Sequence, residues 1–589
     1  MAVWEAGQSS AVNSSSRYGI DNKEIKIDKL LKQLSLVCVC LFVLIGQVCA
    51  ESFAEAKSAY DAGNYPEAAK VFRSLAENGN VLAQVNLGLM YSNGQGVTQN
   101  YKEAAKWYRL AAEQGNTLAQ AGLGALYNLG QGVPQDYKQA LKWYRLAAAQ
   151  GNAFAQANLG TLYDLGLGVP QNYKVAAKLY RLAAEQGNAF AQAGLGSLYG
   201  LGHGVRQNFK QAAKWYRLAA AQGNAFAQAS LGSLYSLGQG VLQDYKKAAS
   251  WYRLAAEQGE ASAQLNLAGM YHNGQGVPQD DKESLKWYRL AAEQGYALAQ
   301  FNLGLVYEGG TVVVQDYKEA EQWYRLAAEQ GNVDAQERMG ALYYSGQGVH
   351  QDYKEALKWT RLAAEQGNAR AQNLLGVMYK NGQGIAEDHK EAVKWYRLAA
   401  EQGDSSAQTN LGYMYNSGLG VAQDFKEAVK WDRLAADQGY APAQSNLAGM
   451  YYNGQGVAQD YAEAVKWNRL AADQGYAQAQ LNLGFMYNAG QGIPQNYEES
   501  LKWYRLAAEQ GVSSAQKNIG LMYTNGQGVP KDYVHAYMWL DMSIATAVGE
   551  EQMQFVGLRE TVAMFMTEDQ IAEARQLSRK CAANKFKGC

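Results

Sequence analysis

One motif recurs through most of the chain, and its first copy reads Lys106-Trp107-Tyr108-Arg109-Leu110-Ala111-Ala112-Glu113-Gln114-Gly115. The tryptophan returns at every position that is 107 plus a multiple of 36 as far as Trp539, except that Leu179 occupies one of these positions. No insertion or deletion disturbs this phase. A fixed period of this length is typical of a solenoid, in which similar helical units stack in a row, and not of one globular core.

The composition agrees with this interpretation. The 589 residues include 62 glycines and only 7 prolines, as expected for repeated helices that end in glycine turns. The formal net charge is −1, which argues against a nucleic-acid partner, because such a partner favours a strongly basic surface. The five cysteines lie near the two ends, at Cys38, Cys40, Cys49, Cys581 and Cys589. The repeats therefore cannot be stapled by disulfides and must be held by packing.

Residues 1–50 are predicted to be an export signal. An apolar run at residues 34–45 follows a flank that contains four lysines, and it leads into the small-residue ending Gly46-Gln47-Val48-Cys49-Ala50. This order of segments predicts cleavage after Ala50. The apolar run is shorter than the ~20 residues that a membrane span needs, so we expect no stable membrane span after cleavage. The mature protein is then periplasmic or secreted, with an uncleaved anchor as the alternative.

Residues 51–80 are predicted to form a helical hairpin that lacks the linker of the later units. The sequence Gly63-Asn64-Tyr65-Pro66 turns the chain, and the proline stands at a first helical position, where it is favoured. This segment resembles a tetratricopeptide hairpin. We expect it to cap the N-terminal end of the repeat array.

Each regular unit, the first of which begins at Val81, is predicted to be a helix-turn-helix. The first helix covers about residues 81–91 and the second about residues 101–114. Gln84, Leu87, Gly88 and Tyr91 recur and fall on one face of the first helix, which we interpret as its packed face. A glycine inside a helix costs ~1 kcal/mol relative to alanine, so its recurrence predicts that two helices approach closely there.

The segment between the two helices also has a recognisable pattern. Its sequence Asn93-Gly94-Gln95-Gly96-Val97 supplies two glycines that can adopt positive φ. Asn100 with Glu103 predicts a capping box at the start of the second helix. Arg109 is four residues before Glu113, a spacing that allows an ion pair worth ~0.3–0.5 kcal/mol.

The buried face of the second helix is predicted from Ala104, Trp107 and Ala111, which alternate small and large side chains along one stripe. At the position of Tyr108, three units carry small polar residues instead: Thr360, Asp432 and Asn468. We therefore expect that this site is not deeply buried in every repeat.

The periodic pattern stops after Trp539. Residues 531–589 are predicted to form a last helix and C-terminal capping helices, which cover the apolar face that an open solenoid end would expose. Thr567 with Gln570 predicts a capping box. Cys581 and Cys589 are close enough in sequence to form a disulfide after export, and the alternative is a tail with free or intermolecular thiols.

Three motifs carry a resemblance to a known family: Ala-Gln-x-x-Leu-Gly-x-x-Tyr, Asn-Gly-x-Gly-Val and Asp-Tyr-Lys-x-Ala-x-Lys-Trp-Tyr-x-x-Ala-Ala-x-Gln-Gly. In these motifs the chain resembles the Sel-one-like repeat family, an α-solenoid branch of the tetratricopeptide superfamily. The resemblance implies an all-α, right-handed α-solenoid of about thirteen 36-residue helix-turn-helix repeats at residues 81–530. It also implies a scaffold or adaptor, which in exported bacterial members serves envelope function or contact with a host.

The sequence offers no catalytic motif. The five histidines (His203, His272, His350, His389 and His535) fall at five different phases of the repeat, so stacking does not bring them together. Gly-Gln-Gly recurs as part of a turn and is not a phosphate loop. We predict a protein that is not an enzyme and that needs no cofactor or metal.

The candidate binding surface comes from comparing the repeats with one another. The arc opposite the packed face of the first helix, at positions equivalent to Leu82, Val85, Leu89 and Ser92, differs between units. At the positions of Val85 and Leu89 the early units carry small residues that would form the floor of a groove, whereas later units carry apolar and aromatic side chains of the kind that dominate interfaces. The predicted groove residues are Phe301, Leu305, Tyr344, Tyr413, Tyr452, Leu481, Phe485 and Lys517.

Three interpretations of this row are open. In tetratricopeptide-like solenoids the first helices line the concave face, so the resemblance implies a groove that holds a protein or peptide. The second interpretation is a peptidoglycan or glycan fragment that stacks on Tyr413, Tyr452 and Phe485. The third is sequence drift without function. The sequence does not indicate an oligomeric state.

The export hypothesis predicts the N-terminus of the mature protein. We expect Edman sequencing of protein recovered from the periplasm or the medium to begin at Glu51, because the small-residue ending lies immediately before it. A chain that begins at Met1 and stays in the cytosol would contradict the hypothesis.

Overall fold

The computed structural model describes residues 52–584, 586 and 589, so the predicted export signal and its cleavage site lie outside the described residues. Throughout the described part of the chain, the regular structure consists of thirty helices and no strand. The prediction of an all-α solenoid built from 36-residue repeats is confirmed. The chain divides into two compact units, Met1–Gln279 and Asp280–Cys589, and the same packing recurs inside each of them.

Each of the thirteen repeats has two helices separated by a seven-residue linker. The first helices are Val81–Asn93, Thr117–Leu129, Ala153–Leu165, Ala189–Leu201, Ala225–Leu237, Ala261–Asn273, Ala297–Gly309, Val333–Ser345, Ala369–Asn381, Ser405–Ser417, Ala441–Asn453, Ala477–Ala489 and Ser513–Asn525. The second helices are Tyr101–Glu113, Tyr137–Ala149, Tyr173–Glu185, Phe209–Ala221, Tyr245–Glu257, Asp281–Glu293, Tyr317–Glu329, Tyr353–Glu365, His389–Glu401, Phe425–Asp437, Tyr461–Asp473, Tyr497–Glu509 and Tyr533–Thr546.

Additional helices lie at both ends of the array. Helical residues 52–61 and the helix Tyr65–Glu77 form the N-terminal hairpin. Glu550–Ala563 and Glu568–Ala583 follow the last repeat. Thr567 and Gln570 make both hydrogen bonds of the predicted capping box at the start of the final helix.

The helix boundaries follow from local sequence. The side chain of Asn100 accepts hydrogen bonds from the backbone N–H groups of Lys102 and Glu103, so it is an N-cap as predicted. The reciprocal half of the predicted capping box differs, because the backbone N–H of Asn100 donates to the carbonyl of Tyr91 at 2.9 Å. That bond ties the linker to the end of the first helix and leaves Glu103 to pair with Lys106.

The second glycine of the linker is required by a close approach. Gly96 has φ of 68°, and a Cβ at this position would lie 2.3 Å from the carbonyl carbon of Tyr65, in the second helix of the N-terminal hairpin. A residue with a side chain would therefore suffer both backbone strain and a clash. The predicted role of this glycine is confirmed.

The core consists of the predicted stripe and its neighbours. Ala104, Trp107 and Ala111 of the second helix are all buried. Gly88 lies directly against the ring of Tyr108, where a Cβ would be 2.8 Å from two ring carbons. The close approach of two helices that the recurrent glycine predicted is confirmed.

The expectation about the tyrosine position is wrong. Thr360, Asp432 and Asn468 are all buried, with at most 2% of each residue exposed. The surrounding helices enclose this position whatever side chain it carries, so polarity does not bring it to the surface. Among the described residues, the Thr360 Oγ1 and Asp432 Oδ2 atoms have no hydrogen-bond partner.

Two polar contacts join neighbouring helices. Arg109 does not form the predicted pair with Glu113; its guanidinium donates to the hydroxyl of Tyr127, and its central carbon lies 5.9 Å from the ring centroid. The buried Gln84 donates from Nε2 to the carbonyl of Ala76 at 3.1 Å and accepts from Gln114 at 3.0 Å. Both ends of this buried amide are therefore satisfied, as a buried polar group requires.

The packing predicts how the array responds to deletions. Each repeat contacts mainly its neighbours, so removing residues 367–402, one whole 36-residue period, should leave a soluble helical protein. Removing only residues 367–386 should not, since every packed face beyond the deletion would be out of phase. Far-UV circular dichroism and thermal melts of both variants check this expectation. Equal helicity and equal melting would contradict it.

Asp432 makes stability dependent on pH. Burial raises the pKa of its carboxyl to about 7, and a hydrogen bond from Asn446 acts weakly in the opposite direction. The raised pKa means that the protonated form stabilises the fold, fully below the ordinary value of 3.8 and progressively less as the pH rises through 7. Asp432→Asn should remove this dependence and raise stability at pH 8 by on the order of 2 kcal/mol relative to wild type.

Thermal melts between pH 5 and pH 8 measure this effect. Asp437→Asn, an exposed aspartate of the same helix, is the matched control and should keep the wild-type pH dependence. If Asp432→Asn kept that dependence as well, the buried carboxyl would not be its source.

Candidate binding surface

The predicted groove residues lie on the first helices of repeats seven to thirteen, within the unit Asp280–Cys589. The most accessible among them are Leu305, Tyr413 and Phe485, of which 36%, 44% and 45% is exposed. Equivalent positions in earlier repeats hold Thr161, Ser197 and Ser233. Those repeats have the same two-helix structure, so the larger side chains are not needed to build it.

Phe301 and Leu481 are half-buried and belong partly to the core. The ring centroid of Phe301 lies 5.7 Å from that of Tyr324, and Leu481 packs against the cluster that contains Leu501 and Tyr504. These two residues offer a partner only part of their surface.

Tyr344 and Tyr452 are each held in place by a hydrogen bond to the linker of the following repeat. Their hydroxyls donate to the side chains of Gln383 and Gln491 at 2.9 and 2.8 Å. The ring of Tyr452 also lies 6.4 Å from that of Phe485, with an angle of 68° between the planes. The structure therefore brings Tyr452 and Phe485 together into one aromatic pair and fixes their orientation.

Lys517 is not an open groove residue. Its ammonium nitrogen lies 5.7 Å from the ring centroid of Phe555 in the helix that follows the array. Burial lowers the pKa of Lys517, and the nearby Glu551 raises it. The C-terminal helix Glu550–Ala563 thus contacts this end of the row.

Two features of the row were not identified from the sequence. The ammonium of Lys380 lies 4.3 Å above the ring centroid of Tyr413, within the range of a cation–π contact. Arg338 contacts Glu308 at 3.4 Å and Glu337 at 3.6 Å. Burial raises the pKa of the Glu337 carboxyl, and Arg338 lowers it. Lys380 precedes Tyr413 by almost one period, and that spacing is the only sequence signal for their contact.

At the position of Val85, the small residues of the early repeats were predicted to form the floor of the groove, but the structure places them in the core. Ala121, Ala157, Ala193 and Ala229 are buried. Ala121 packs with Leu141 and Tyr144, in the core between consecutive repeats. The exposed arc of the first helix is therefore rotated by about one residue relative to the predicted one.

At the C-terminus, Cys581 and Cys589 form a disulfide with their Cα atoms 5.9 Å apart. Among the described residues, no three His, Cys, Asp or Glu side chains are grouped so that they could hold a metal ion. No helix in the described part of the chain is both long and apolar enough to cross a membrane.

Periodic helix pairs, a glycine-rich linker and a cross-repeat core define the chain as an α-solenoid of helix-turn-helix repeats. The model of the Sel1 repeat matches thirteen consecutive segments, from residues 81–116 to residues 513–545 without a gap. The chain therefore belongs to the Sel1 repeat family. Proteins built from this repeat generally act as scaffolds for protein interactions and are typically non-catalytic.

Several solved structures are similar to this chain. A protective antigen of uropathogenic Escherichia coli with an SLR fold is 34% identical, with 88% of this chain and 96% of that chain covered and a TM-score of 0.43. A Sel1 repeat protein from Oxalobacter formigenes is 35% identical over 41% of this chain and 96% of its own, with a TM-score of 0.39. A sel1 repeat protein from Klebsiella pneumoniae is 22% identical over 35% of this chain and 99% of its own, with a TM-score of 0.26. No curated protein matches the chain.

Proposed function

We propose that this chain is an exported, non-catalytic scaffold that binds an unstructured segment of a protein along the first helices of repeats seven to twelve. The observation that carries the proposal is the exposure of Tyr413 and Phe485 at positions where the repeat fold needs no large side chain. Aromatic side chains that are held rigidly and left accessible are the residue type that contributes most to protein interfaces. The export signal predicted in residues 1–50 is the basis for placing the scaffold in the periplasm or outside the cell.

The spacing of these side chains fits an extended peptide. Tyr413 and Phe485 are two repeats apart, and packed helices lie about 8–10 Å from one another, so the two anchors are separated by roughly 16–20 Å. An extended chain rises about 3.3 Å per residue. Two apolar residues spaced about five or six positions apart in the partner would reach both anchors.

Polar groups beside the anchors supply selectivity. The Arg338 guanidinium lies between Glu308 and Glu337, and Lys380 lies over Tyr413. These groups can exchange their present contacts for hydrogen bonds to a polar side chain or backbone of the partner. A peptide that combines apolar anchors with polar residues between them matches this row better than a wholly apolar one.

The aromatic geometry favours a peptide over a glycan fragment. A sugar that stacks on an aromatic ring needs an open ring face. Tyr452 and Phe485 pack edge to face with each other, and the ammonium of Lys380 covers one face of Tyr413. Tyr452 also packs edge to face on Tyr461, at 5.1 Å between centroids.

The proposal predicts that the anchors contribute to binding and not to stability. Tyr413→Ser and Phe485→Ser should each change the free energy of unfolding by under ~1 kcal/mol, as expected for exposed positions. Each should weaken binding by roughly 1–3 kcal/mol, or about 5- to 150-fold in affinity. The wild-type chain and the double variant are used in parallel to capture partners from the cell envelope. Mass spectrometry then identifies the segment that only the wild-type chain retains, and calorimetry measures the affinity of that segment for each variant.

Trp431→Ala is the control for a core position, because truncating this buried side chain should lower the free energy of unfolding by several kcal/mol. If Tyr413→Ser and Phe485→Ser lowered the melting temperature like Trp431→Ala, the two residues would be core residues and the proposal would fail. Normal melting with unchanged affinity for the captured segment would place binding elsewhere.

A further inference from the structure

The first helices of repeats two to five expose a second and quite different set of side chains. Each of these four helices carries a large apolar residue near its start and a leucine as its last residue. The start row is Leu118, Phe154, Phe190 and Phe226, and the end row is Leu129, Leu165, Leu201 and Leu237. Between 48% and 63% of each of these eight residues is exposed.

The two rows share one face of the stacked helices. Residues 118 and 129 are eleven positions apart, which is close to three helical turns, so their side chains point in the same direction about 16 Å apart along the helix. The four helices contact one another in sequence, from Thr117–Leu129 to Ala225–Leu237. The rows therefore run side by side across four repeats.

Small residues form a trough between the rows. The intervening positions on the same face are uncharged and mostly small: Gly122 and Ala125, Asn158 and Thr161, Gly194 and Ser197, and Ser230 and Ser233 in repeats two to five. A Cβ at Gly122 would come within 3.1 Å of the Tyr108 ring, so the floor lies directly on the core. The face thus has two apolar ridges with a shallow small-residue floor.

The solenoid itself does not require these apolar residues. At the start position other repeats hold Asp334, Arg370 and Gln478, and at the end position they hold Asn381 and Asn525. The helices that carry these polar residues have the same length and bury the same five positions, while repeats two to five also bury the alanine equivalent to Ala121. The fold therefore does not depend on the apolar rows of repeats two to five, although Phe154, Phe190 and Phe226 also lie edge to face against core tyrosines, at 6.1–6.5 Å between ring centroids.

The area of the face corresponds to a protein interface. If a leucine or phenylalanine side chain offers ~150–200 Å² in full, eight half-exposed ones present roughly 800 Å². Contiguous apolar patches on monomeric proteins are usually no more than a few hundred Å². About 800 Å² is what one partner contributes to a stable interface of standard size.

The charge and shape of the face select the kind of partner. Asp164 is the only charged residue in the four helices, and its carboxylate accepts a hydrogen bond from the hydroxyl of Tyr180. A face without free charge gives no attraction to a basic or acidic partner, and depletion of charge is typical of the cores of homodimer interfaces. The face also presents ridges and a trough with the same repeat spacing. A second copy would supply matching ridges and troughs at all four repeats simultaneously.

We propose that two copies of the chain pair through this face, with the end row of one copy in the trough of the other. A two-fold arrangement uses the same patch on both subunits, so each ridge–trough contact occurs twice. The proposal concerns the unit Met1–Gln279 and does not depend on the function proposed for the later repeats.

Sedimentation velocity of the mature chain, residues 51–589, tests the proposal over about 1–50 μM. We expect a species of twice the monomer mass. Leu165→Lys combined with Leu201→Lys should raise the dimer dissociation constant at least 100-fold, because four charges would enter an apolar interface. Leu242→Lys, at a linker residue that is 91% exposed, is the matched control and should leave the dimer intact.

Thermal melts at low concentration show whether the double lysine variant keeps its fold. A wild-type chain that stays monomeric at 50 μM would overturn the proposal. A dimer that the double lysine variant does not weaken, or one that Tyr413→Ser and Phe485→Ser abolish, would overturn it as well, because the interface would then lie elsewhere.

Discussion

In most repeats, the contact between a helical glycine and a tyrosine ring sets how closely the two helices pack. At Gly88 a side chain would clash with Tyr108, so glycine lets the two helices of this repeat approach closely, and only the small Ala268 and Ala448 replace it in other repeats. The same ring lies under Gly122 of the next repeat. Glycine costs a helix ~1 kcal/mol, and burying a large apolar side chain stabilises by about 1.5–3 kcal/mol, so the pair is favourable overall. One contact therefore joins the helices within a repeat and also joins consecutive repeats.

The periodic part of the fold could be predicted because its causes are local. Gly94 and Asn100 act within their own repeat, as helix C-cap and helix N-cap, and each recurs. Trp107 packs partly against the preceding hairpin, but its recurrence alone marked it as a core residue. Contacts between repeats were less predictable. Arg109 bonds to Tyr127, eighteen residues away on another helix, whereas helical spacing directs attention to Glu113. Sequence spacing describes neighbours on one helix and does not describe neighbours across helices.

Asp432 illustrates a different limit. Its polarity indicated an exposed position, but the helices around it are held by all the other contacts of the repeat, and they bury whatever residue stands there. The cost is an unsatisfied carboxylate oxygen and a pKa raised to about 7. In a repeat protein the burial of a position is decided by the repeat as a whole. The tyrosines at equivalent positions were therefore better evidence that the position is buried than the polarity of the aspartate was that it is exposed.

The same reasoning explains why the candidate site was only partly predictable. A helical wheel located the variable arc to within about one residue, which was enough to include Tyr413 and Phe485 but also placed the buried Ala121 on the surface. Leu129 and Leu165 were missed because leucine near the end of a helix resembles a core residue. Their equivalents carry the signal, since this position holds asparagine or serine in most of the other repeats and Asn93 and Asn381 are exposed, so a leucine there is available to a partner.

The apolar face of repeats two to five is regular, whereas the row of exposed residues in repeats seven to twelve is not. This difference matches what each surface can recognise. The first helices of repeats three to five are nearly identical in sequence, so their exposed face repeats the same chemistry at a constant spacing. Such a face is complementary to an object with the same period, which a second copy of the chain provides. In repeats seven to twelve the exposed side chains change from one repeat to the next, and a surface of that kind distinguishes one non-repetitive segment from another.

Because each repeat packs only on its neighbours, exposed residues can change in one part of the array without disturbing the core of another part. A single solenoid can therefore carry a self-association surface and a recognition surface on the same helical scaffold.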